Sequence, residues 1–293
     1  MDAFPSARRD ADSPSSDADS ASSNADSLRN ASASRDLVVA RWLLGDAGRA
    51  VLAALPPYRS DDVFALTERL RREGLDADQA AAALTLSRLR TRAAAKFGER
   101  AGAMFFTADG YEQATRLSVG ALHAARFVEA GARRVIDFGC GIGADSLAFT
   151  LAGLDVAAIE SDPVAALYAA ANAPKAKVAC ANGLATELPD ADAIWLDPAR
   201  RAEDGRRIAS PERWIPPFSR ALSLARGFPL AGIKVAPGIA YHALPPRAFV
   251  EWISERGQLL EAVVWLGMGT GRTATIDGEQ LDSGAKTADE PAV

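Results

Sequence analysis

A β-strand pattern, a glycine-rich turn and the start of a helix follow one another in the stretch Val135-Ile136-Asp137-Phe138-Gly139-Cys140-Gly141-Ile142-Gly143-Ala144-Asp145. Glycine allows positive φ angles and lets a ligand approach the backbone closely. The first N–H groups of the following helix point into the same space. The stretch therefore predicts a ligand-binding turn at the carboxyl end of a strand.

Two kinds of ligand suit such a turn. A dinucleotide site needs the spacing Gly-x-Gly-x-x-Gly, which places the pyrophosphate on the helix N-terminus. Here the spacing is Gly-x-Gly-x-Gly, and Ala144 stands where the third dinucleotide glycine belongs. Asp137 would repel a pyrophosphate but suits a ligand that carries an ammonium group. An oxidoreductase that binds NAD(P) is therefore the less favoured alternative.

Outward from this turn, residues 110–277 alternate between strand and helix patterns. Five apolar β runs are expected at 133–138, 155–159, 177–181, 193–196 and 232–236. Helices are expected between them at 144–152, 163–173 and 216–227. Two further β runs, at 260–266 and 272–276, are joined by a glycine-rich turn that predicts a hairpin. The pattern predicts an α/β fold with a Rossmann-like, seven-stranded sheet, mostly parallel with an antiparallel last strand.

The ends of the chain have a different character. Residues 36–109 carry apolar residues at helical spacing and no β-rich window, which predicts a small helical domain. Residues 1–35 hold ten Ser, eight Ala and six Asp, and residues 278–293 are also polar. Both ends have little to bury, so they are predicted to be disordered tails. The net charge of −5 lies in these tails, and the nearly neutral body neither demands nor excludes an anionic partner.

Composition excludes several classes of protein. Hydrophobic residues make up 48% of the 293 residues and charged residues 24%, as in ordinary soluble globular proteins. The two cysteines, Cys140 and Cys180, provide neither a disulfide framework nor a cysteine-rich zinc site, so no metal is predicted. No stretch approaches the ~18 apolar residues of a membrane span, and the N-terminus is unlike a signal peptide. The sequence thus predicts a cytoplasmic protein without membrane association.

Polar residues also follow the next three strands, at the edge of the sheet where α/β proteins bind ligands. Glu160 lies where an acid accepts hydrogen bonds from ribose hydroxyls, or it is simply an acid at a helix entry, and Ser161 follows it. Asn182, followed by Gly183, can accept a hydrogen bond from an adenine amino group through its carbonyl. Asp197 can accept an N–H from an amino nucleophile.

Positive charge is concentrated after Asp197. Four arginines occur within eight residues, namely Arg200, Arg201, Arg206 and Arg207. Arg200 and Arg201 can bind a phosphate or carboxylate of a substrate. The alternative is a solvated loop in which Glu203 and Asp204 balance the arginines. Lys234 either faces the site or is a half-buried strand lysine.

Together these residues resemble the class I S-adenosylmethionine-dependent methyltransferases over about residues 110–277. Asp137-x-Gly139-x-Gly141-x-Gly143 is similar to the family's first motif, Glu160 to its ribose-binding acid, and Asp197-Pro198 to the start of its fourth motif. Three stretches resemble bacterial methyltransferase-like proteins with a THUMP-like domain, and more distantly trimethylguanosine synthases. They are Phe105-Phe106-Thr107-Ala108-Asp109-Gly110-Tyr111-Glu112-Gln113-Ala114-Thr115-Arg116, Asp197-Pro198-Ala199-Arg200-Arg201 and Val235-Ala236-Pro237-Gly238.

The resemblance implies S-adenosylmethionine as cofactor, catalysis at Asp197 with Pro198, and N-methylation of RNA, with small-molecule and protein substrates left open. The cofactor-binding residues it implies are Thr115, Arg116, Asp137, Gly139, Cys140, Gly141, Gly143, Glu160, Ser161, Asn182 and Gly183. The chain departs from the amino-group methyltransferases at Ala199 and Arg200, which replace a second proline and an aromatic platform for a base. A non-catalytic module that binds the cofactor is a second alternative.

Overall fold

The computed structural model describes residues 32–200, residue 206 and residues 208–282. Its N-terminal part is helical, as the sequence predicts. The helices are residues 32–44 (α1), Asp46–Ala54 (α2), Val63–Arg72 (α3), Ala77–Phe97 (α4), Ala108–Gln113 (α5) and Leu117–Glu129 (α6). No helix within the described ranges has the length and apolar content needed to cross a bilayer.

Within the described residues, nine strands form one sheet: Arg134–Phe138 (β1), Asp155–Glu160 (β2), Lys177–Cys180 (β3), Ala193–Leu196 (β4), Leu230–Val235 (β5), Phe249–Glu255 (β6), Gln258–Leu266 (β7), Gly271–Ile276 (β8) and Glu279–Asp282 (β9). Their order is β3-β2-β1-β4-β5-β7-β6-β8-β9. Only β7 and β9 run against the other described strands. The mostly parallel sheet with an antiparallel edge is confirmed, whereas the predicted count of seven strands was wrong.

The predicted hairpin between 260–266 and 272–276 was also wrong. Strand β6 lies between β7 and β8, pairing antiparallel with the first and parallel with the second. The hairpin instead joins β6 to β7 through Arg256 and Gly257, which both have positive φ angles as type I′ turns require. The sequence pattern concealed β6 because a charged residue, Glu251, lies in its centre. That carboxylate is buried and accepts hydrogen bonds from Arg126, among others.

The predicted tails are partly structured. Residues 32–35 belong to α1, and Glu279–Asp282 form the edge strand β9. Residues 32–35 adjoin the predicted helical domain, and Glu279–Asp282 adjoin the predicted α/β domain. The rest of both predicted tails, residues 1–31 and 283–293, lies outside the described residues.

Helices cover both faces of the sheet. Connections between parallel strands contain Ala144–Leu151 (α7), Pro163–Asn172 (α8) and Phe218–Ala225 (α9). On one face, Phe127 of α6 and Phe149 of α7 pack edge-on against Trp195 of β4. On the other face, Phe218 of α9 packs against Trp214. Helices α1 and α4 bury Leu43 and Leu86 in one apolar cluster with Leu147 of α7 and Tyr168 of α8, so the N-terminal helices share a core with the α/β part.

One buried amide connects the segment after α4 to the glycine-rich turn. Asn172 accepts a hydrogen bond from the Phe105 N–H (2.8 Å) and donates to the carbonyls of Phe105 and Ile142 (2.9 Å each). Removing the amide leaves buried backbone groups unpaired, so we expect Asn172→Ala to lower the free energy of unfolding by about 2–4 kcal/mol. Urea denaturation measures this.

Asn182→Ala is the matched control for that experiment. Asn182 is exposed, and its side chain accepts one hydrogen bond, from the Leu184 N–H. We expect Asn182→Ala to lower the free energy of unfolding by less than about 1 kcal/mol. Equal losses in the two variants would contradict a structural role for the Asn172 contacts.

Candidate functional site

A cleft of about 1400 Å³ opens at the carboxyl ends of β1, β2, β4 and β5. Strands β1 and β4 are neighbours although β2 and β3 separate them in sequence, which makes this edge the point where the strand order reverses. Ligands of open α/β sheets bind at such points. The volume exceeds that of a typical small-molecule pocket, so the cleft has room for more than one ligand.

The glycine-rich turn forms the floor of this cleft. Gly139, Gly141 and Gly143 all have positive φ angles, between 54° and 79°. A Cβ at Gly139 or Gly141 would meet nothing within 4 Å, and both residues line the cleft. A Cβ at Gly143 would lie 3.0 Å from the Cα of Ala169. The third glycine therefore serves helix packing, and the first two leave the backbone open to a ligand.

Glu160 is fixed beside this turn by backbone donors. Its Oε2 accepts the Gly141 N–H and its Oε1 accepts the Asp162 N–H, both at 2.8 Å. Ser161 is exposed and contacts the same carboxylate at 3.3 Å. The end of β2 and the glycine turn thus come together as predicted, with the Glu160 carboxylate lining the cleft.

Asn182 and Gly183 form the wall next to Glu160. The Asn182 carbonyl accepts the Leu184 N–H at 3.0 Å, which fixes the side chain in an Asx-type turn. A Cβ at Gly183 would lie 2.4 Å from the Phe138 ring, so this position needs glycine for close approach. Both residues line the cleft, and the adenine contact of Asn182 stays a prediction.

Asp137 lies at the bottom of the cleft and is only 2% exposed. It accepts a hydrogen bond from the Ser146 hydroxyl. Burial, together with the neighbouring carboxylates Asp145, Asp197 and Glu160, raises the pKa of Asp137 to about 8, against the opposing effect of the Ser146 hydrogen bond. A cation bound in the cleft would reverse this shift, because it favours the ionised carboxylate.

Asp197 stands at the mouth of the cleft in contact with a lysine. Its Oδ2 accepts a hydrogen bond from Lys234 Nζ at 2.7 Å, and its side chain is 27% exposed. Burial lowers the Lys234 pKa, but Asp197 and Glu261 outweigh burial and raise it. Pro198 is buried beside Asp197 and also lines the cleft. A fixed carboxylate acceptor therefore lines the same cleft as the glycine turn, where a donor N–H could be held.

Thr115 and Arg116 both line the cleft, but their polar groups contact protein atoms. The Thr115 hydroxyl donates to Asp145 and accepts from Lys234. The Arg116 guanidinium donates to Glu255 and, at 2.9 Å, to Gln258 of the β6–β7 hairpin. Their contact with the methionine end of a cofactor stays a prediction.

Cys140 is buried inside the turn, and burial raises the pKa of its thiol. The thiol form is therefore strongly favoured, which disfavours thiolate chemistry at this position. A cofactor contact through its backbone stays a prediction.

The predicted arginine loop is described only in part. Arg200 is half-buried and lines the cleft, and its carbonyl accepts the Ile208 N–H at 2.7 Å. Arg206 is exposed. The other members, Arg201 and Arg207, lie outside the described residues, as do Glu203 and Asp204. Ala199 and Ile215 pair through two backbone hydrogen bonds and close the loop.

Sequence reasoning missed three buried titratable residues behind Asp197, namely His123, Asp145 and Glu261. His123 of α6 is fully buried and contacts Asp145 and Glu261 through its two ring nitrogens. Burial lowers the pKa of His123, but the two carboxylates outweigh it and raise the pKa to about 9. The sequence contains no local signal for these contacts, because the partners of His123 lie 22 and 138 residues away.

Comparisons with known proteins bear on two parts of the chain. Residues 36–93 match a family model described as a domain of unknown function, DUF8688. No curated protein sequence matches the chain. Among solved structures, a protein of Porphyromonas gingivalis W83 described as a methyltransferase has a TM-score of 0.52 and 19% identity, covering 72% of this chain and 59% of that one.

Two further structures are less similar. The 16S rRNA methylase RmtB has a TM-score of 0.40 and 17% identity, covering 80% of this chain and 97% of that one. The N-terminal domain of EvdMO1, solved with SAH and D-fucose, has a TM-score of 0.30 and 19% identity, covering 47% of this chain and 53% of that one.

The fold follows from the first of these similarities together with the sheet. The chain spans about 59% of the length of the Porphyromonas protein. In this chain the strand order β3-β2-β1-β4-β5-β7-β6 places the cleft at the point where the order reverses. The α/β part of the chain therefore has the Rossmann-like fold of the class I methyltransferases, extended by the strands β8 and β9.

Proposed function

We propose that this protein is an S-adenosylmethionine-dependent methyltransferase that methylates a nitrogen atom of an RNA substrate. The observation that carries the proposal is the convergence of the open glycine turn, Glu160 and Asp197 on one cleft. The glycine turn and Glu160 are suited to hold a nucleoside that carries an amino-acid moiety. Asp197 is suited to orient the group that receives the methyl.

The residues at the turn fit this cofactor. The open side of Gly139 and Gly141 accepts a ligand against the backbone. Glu160 is held with its carboxylate in the cleft, where ribose hydroxyls can donate to it. Asp137 is a buried carboxyl group with an unfavourable environment for its negative charge, so an ammonium group of the ligand would gain from pairing with it.

The chain's contribution to catalysis is binding and orientation. When bound, S-adenosylmethionine would supply an activated methyl group. The electron pair of the methyl–sulfur bond would stay on sulfur as the lone pair of the nucleophile forms the new bond to the methyl carbon. Correct alignment of the reacting groups can supply about 7–11 kcal/mol of the barrier reduction. Asp197 accepts a hydrogen bond from the nucleophilic nitrogen and so directs its lone pair. The proton that this nitrogen loses can pass to solvent, since Asp197 is partly exposed.

RNA is the proposed substrate class because positive charge borders the exposed side of the site. Arg200 lines the cleft next to Asp197, and Arg206 is exposed in the same connection. Arginine binds phosphate oxygens through paired N–H groups. The cytoplasmic location and the likeness to proteins with a THUMP-like domain belong to this proposal as well.

Transfer of a labelled methyl group tests the substrate class. The purified protein is incubated with S-adenosylmethionine carrying a tritiated methyl and, separately, with the RNA, protein and small-molecule fractions of cells that lack it. We expect label in the RNA fraction and its release by ribonuclease. Label in the protein or small-molecule fraction would overturn the RNA assignment, and no label anywhere would favour the non-catalytic module.

A further inference from the structure

Behind Asp197 lies a closed ring of buried polar groups. Lys234 donates to the Thr115 hydroxyl at 3.1 Å, and Thr115 donates to Asp145 at 2.6 Å. Asp145 lies 2.9 Å from His123 Nδ1, and His123 Nε2 lies 2.7 Å from Glu261. Glu261 closes the ring at 3.7 Å from Lys234 Nζ. Each member is at most 7% exposed.

The charges of this ring balance. Both ring nitrogens of His123 face carboxylate oxygens, and only the imidazolium form can donate from both. The positive charges of Lys234 and His123 then balance the negative charges of Asp145 and Glu261. Asp197 is the fifth charge of the cluster and, at 27% side-chain exposure, its most exposed member.

The ring draws on widely separated parts of the fold. Its members come from α6, the segment before α6, α7, β5 and β7. Lys234 connects the ring to Asp197, the residue that follows β4. The Lys234 ammonium contacts Thr115, Asp197 and Glu261. Its position is therefore set from two sides, by α7 through Thr115 and by α6 through Glu261.

We propose that Lys234 is a positioning residue, held by Thr115 and the His123–Glu261 pair, that fixes Asp197 as the hydrogen-bond acceptor at the mouth of the cleft. Lys234 therefore acts through Asp197 and does not bind substrate itself. His123 and Glu261 act through Lys234 in the same way. This inference rests on the proposed methyltransferase function.

The ring also defines what Asp197 does. The Lys234 ammonium donates to Asp197 Oδ2 at 2.7 Å, which holds this carboxylate in place as a hydrogen-bond acceptor. Asp197 consequently accepts a hydrogen bond from the nucleophile and orients it. Misplacement of a reacting group by about 1 Å can lower a rate by ~10²-fold, so the effect of Lys234 falls on turnover and not on cofactor binding.

Lys234→Met tests the proposal, because methionine fills similar space without charge. We expect kcat for methyl transfer to RNA to fall about 10- to 100-fold. The KM for S-adenosylmethionine and the affinity for S-adenosylhomocysteine are expected to stay within about threefold, since the glycine turn and Glu160 are untouched. Lys177→Met is the matched control, because it removes an exposed lysine that is paired with Asp155.

Two further measurements keep the outcome decisive if Lys234→Met folds poorly. Glu261→Gln removes one charge that holds Lys234 and retains the shape of the side chain, so a kcat loss of about 10-fold at unchanged KM is expected from it as well. Crystal structures of wild type and the Glu261→Gln variant should show the Asp197 carboxylate displaced by more than about 0.5 Å.

The outcomes separate the inference from the proposed function. Unchanged kcat, or an unmoved Asp197, in variants that bind S-adenosylhomocysteine normally would overturn the positioning role. A wild-type protein that binds neither S-adenosylmethionine nor S-adenosylhomocysteine would instead overturn the proposed function. If the wild type binds them but does not methylate RNA, the RNA assignment fails, and the position of Asp197 in the variant crystals still decides the inference.

Discussion

Asp197→Ala is expected to lower the rate of methyl transfer by about 10²- to 10⁴-fold, while S-adenosylhomocysteine binds within about threefold of wild type. The carboxylate is the most exposed member of the buried charge cluster, and it lines the same cleft as the glycine turn. Its loss removes the acceptor that orients the nucleophile and leaves Lys234 without its nearest partner. Turnover of tritiated methyl into RNA measures the effect.

Two controls make that result interpretable. Asp155→Ala removes an exposed carboxylate at the start of β2, on the opposite edge of the sheet, and is expected to keep wild-type turnover. The melting temperature is measured for both variants, because an unpaired buried lysine lowers stability. Full activity of a folded Asp197→Ala protein would remove Asp197 from the mechanism.

Cofactor affinity is expected to rise about tenfold per pH unit between pH 6 and pH 8 and to level off above pH 8. Asp137 has a pKa raised to about 8 in the free protein, because it is buried and Asp145 lies close by. Below pH 8 the carboxyl group therefore holds a proton. A ligand ammonium favours the carboxylate and lowers this pKa in the complex, so binding releases the proton and becomes easier as the pH rises.

Calorimetry of S-adenosylhomocysteine at pH 6.5, in buffers with different ionisation enthalpies, counts the released protons. We expect close to one proton for wild type and none for Asp137→Asn. The variant is expected to show the same weak affinity at pH 6 and pH 8. If wild-type binding releases no proton and its affinity is independent of pH, Asp137 does not pair with the ligand ammonium.

The parts of the site that the sequence predicts are those that follow from the order of strands. Asp137, Glu160 and Asp197 each stand at or just after the end of a parallel strand, and parallel strands bring their carboxyl ends to one edge of the sheet. Placing these residues together therefore needs only correct strands and right-handed crossovers. The three residues do line one cleft.

The parts that the sequence does not predict depend on long-range pairing. From the sequence alone, Lys234 is equally compatible with a site residue and with a structural strand lysine, because its partners Thr115 and Glu261 are distant in the sequence. His123 looks like a single histidine on a helix, because its two carboxylate partners come from α7 and β7. Strand β6 is hidden by Glu251, whose burial becomes intelligible only with Arg126 beside it.

Calorimetric titration of the wild-type protein with S-adenosylhomocysteine and, in parallel, with NADH tests the central claim, that the turn between β1 and α7 holds a nucleoside with an amino-acid moiety. We predict saturable binding of S-adenosylhomocysteine at one site per chain and no measurable binding of NADH. Binding of NADH alone would contradict the claim and assign the cleft to a dinucleotide.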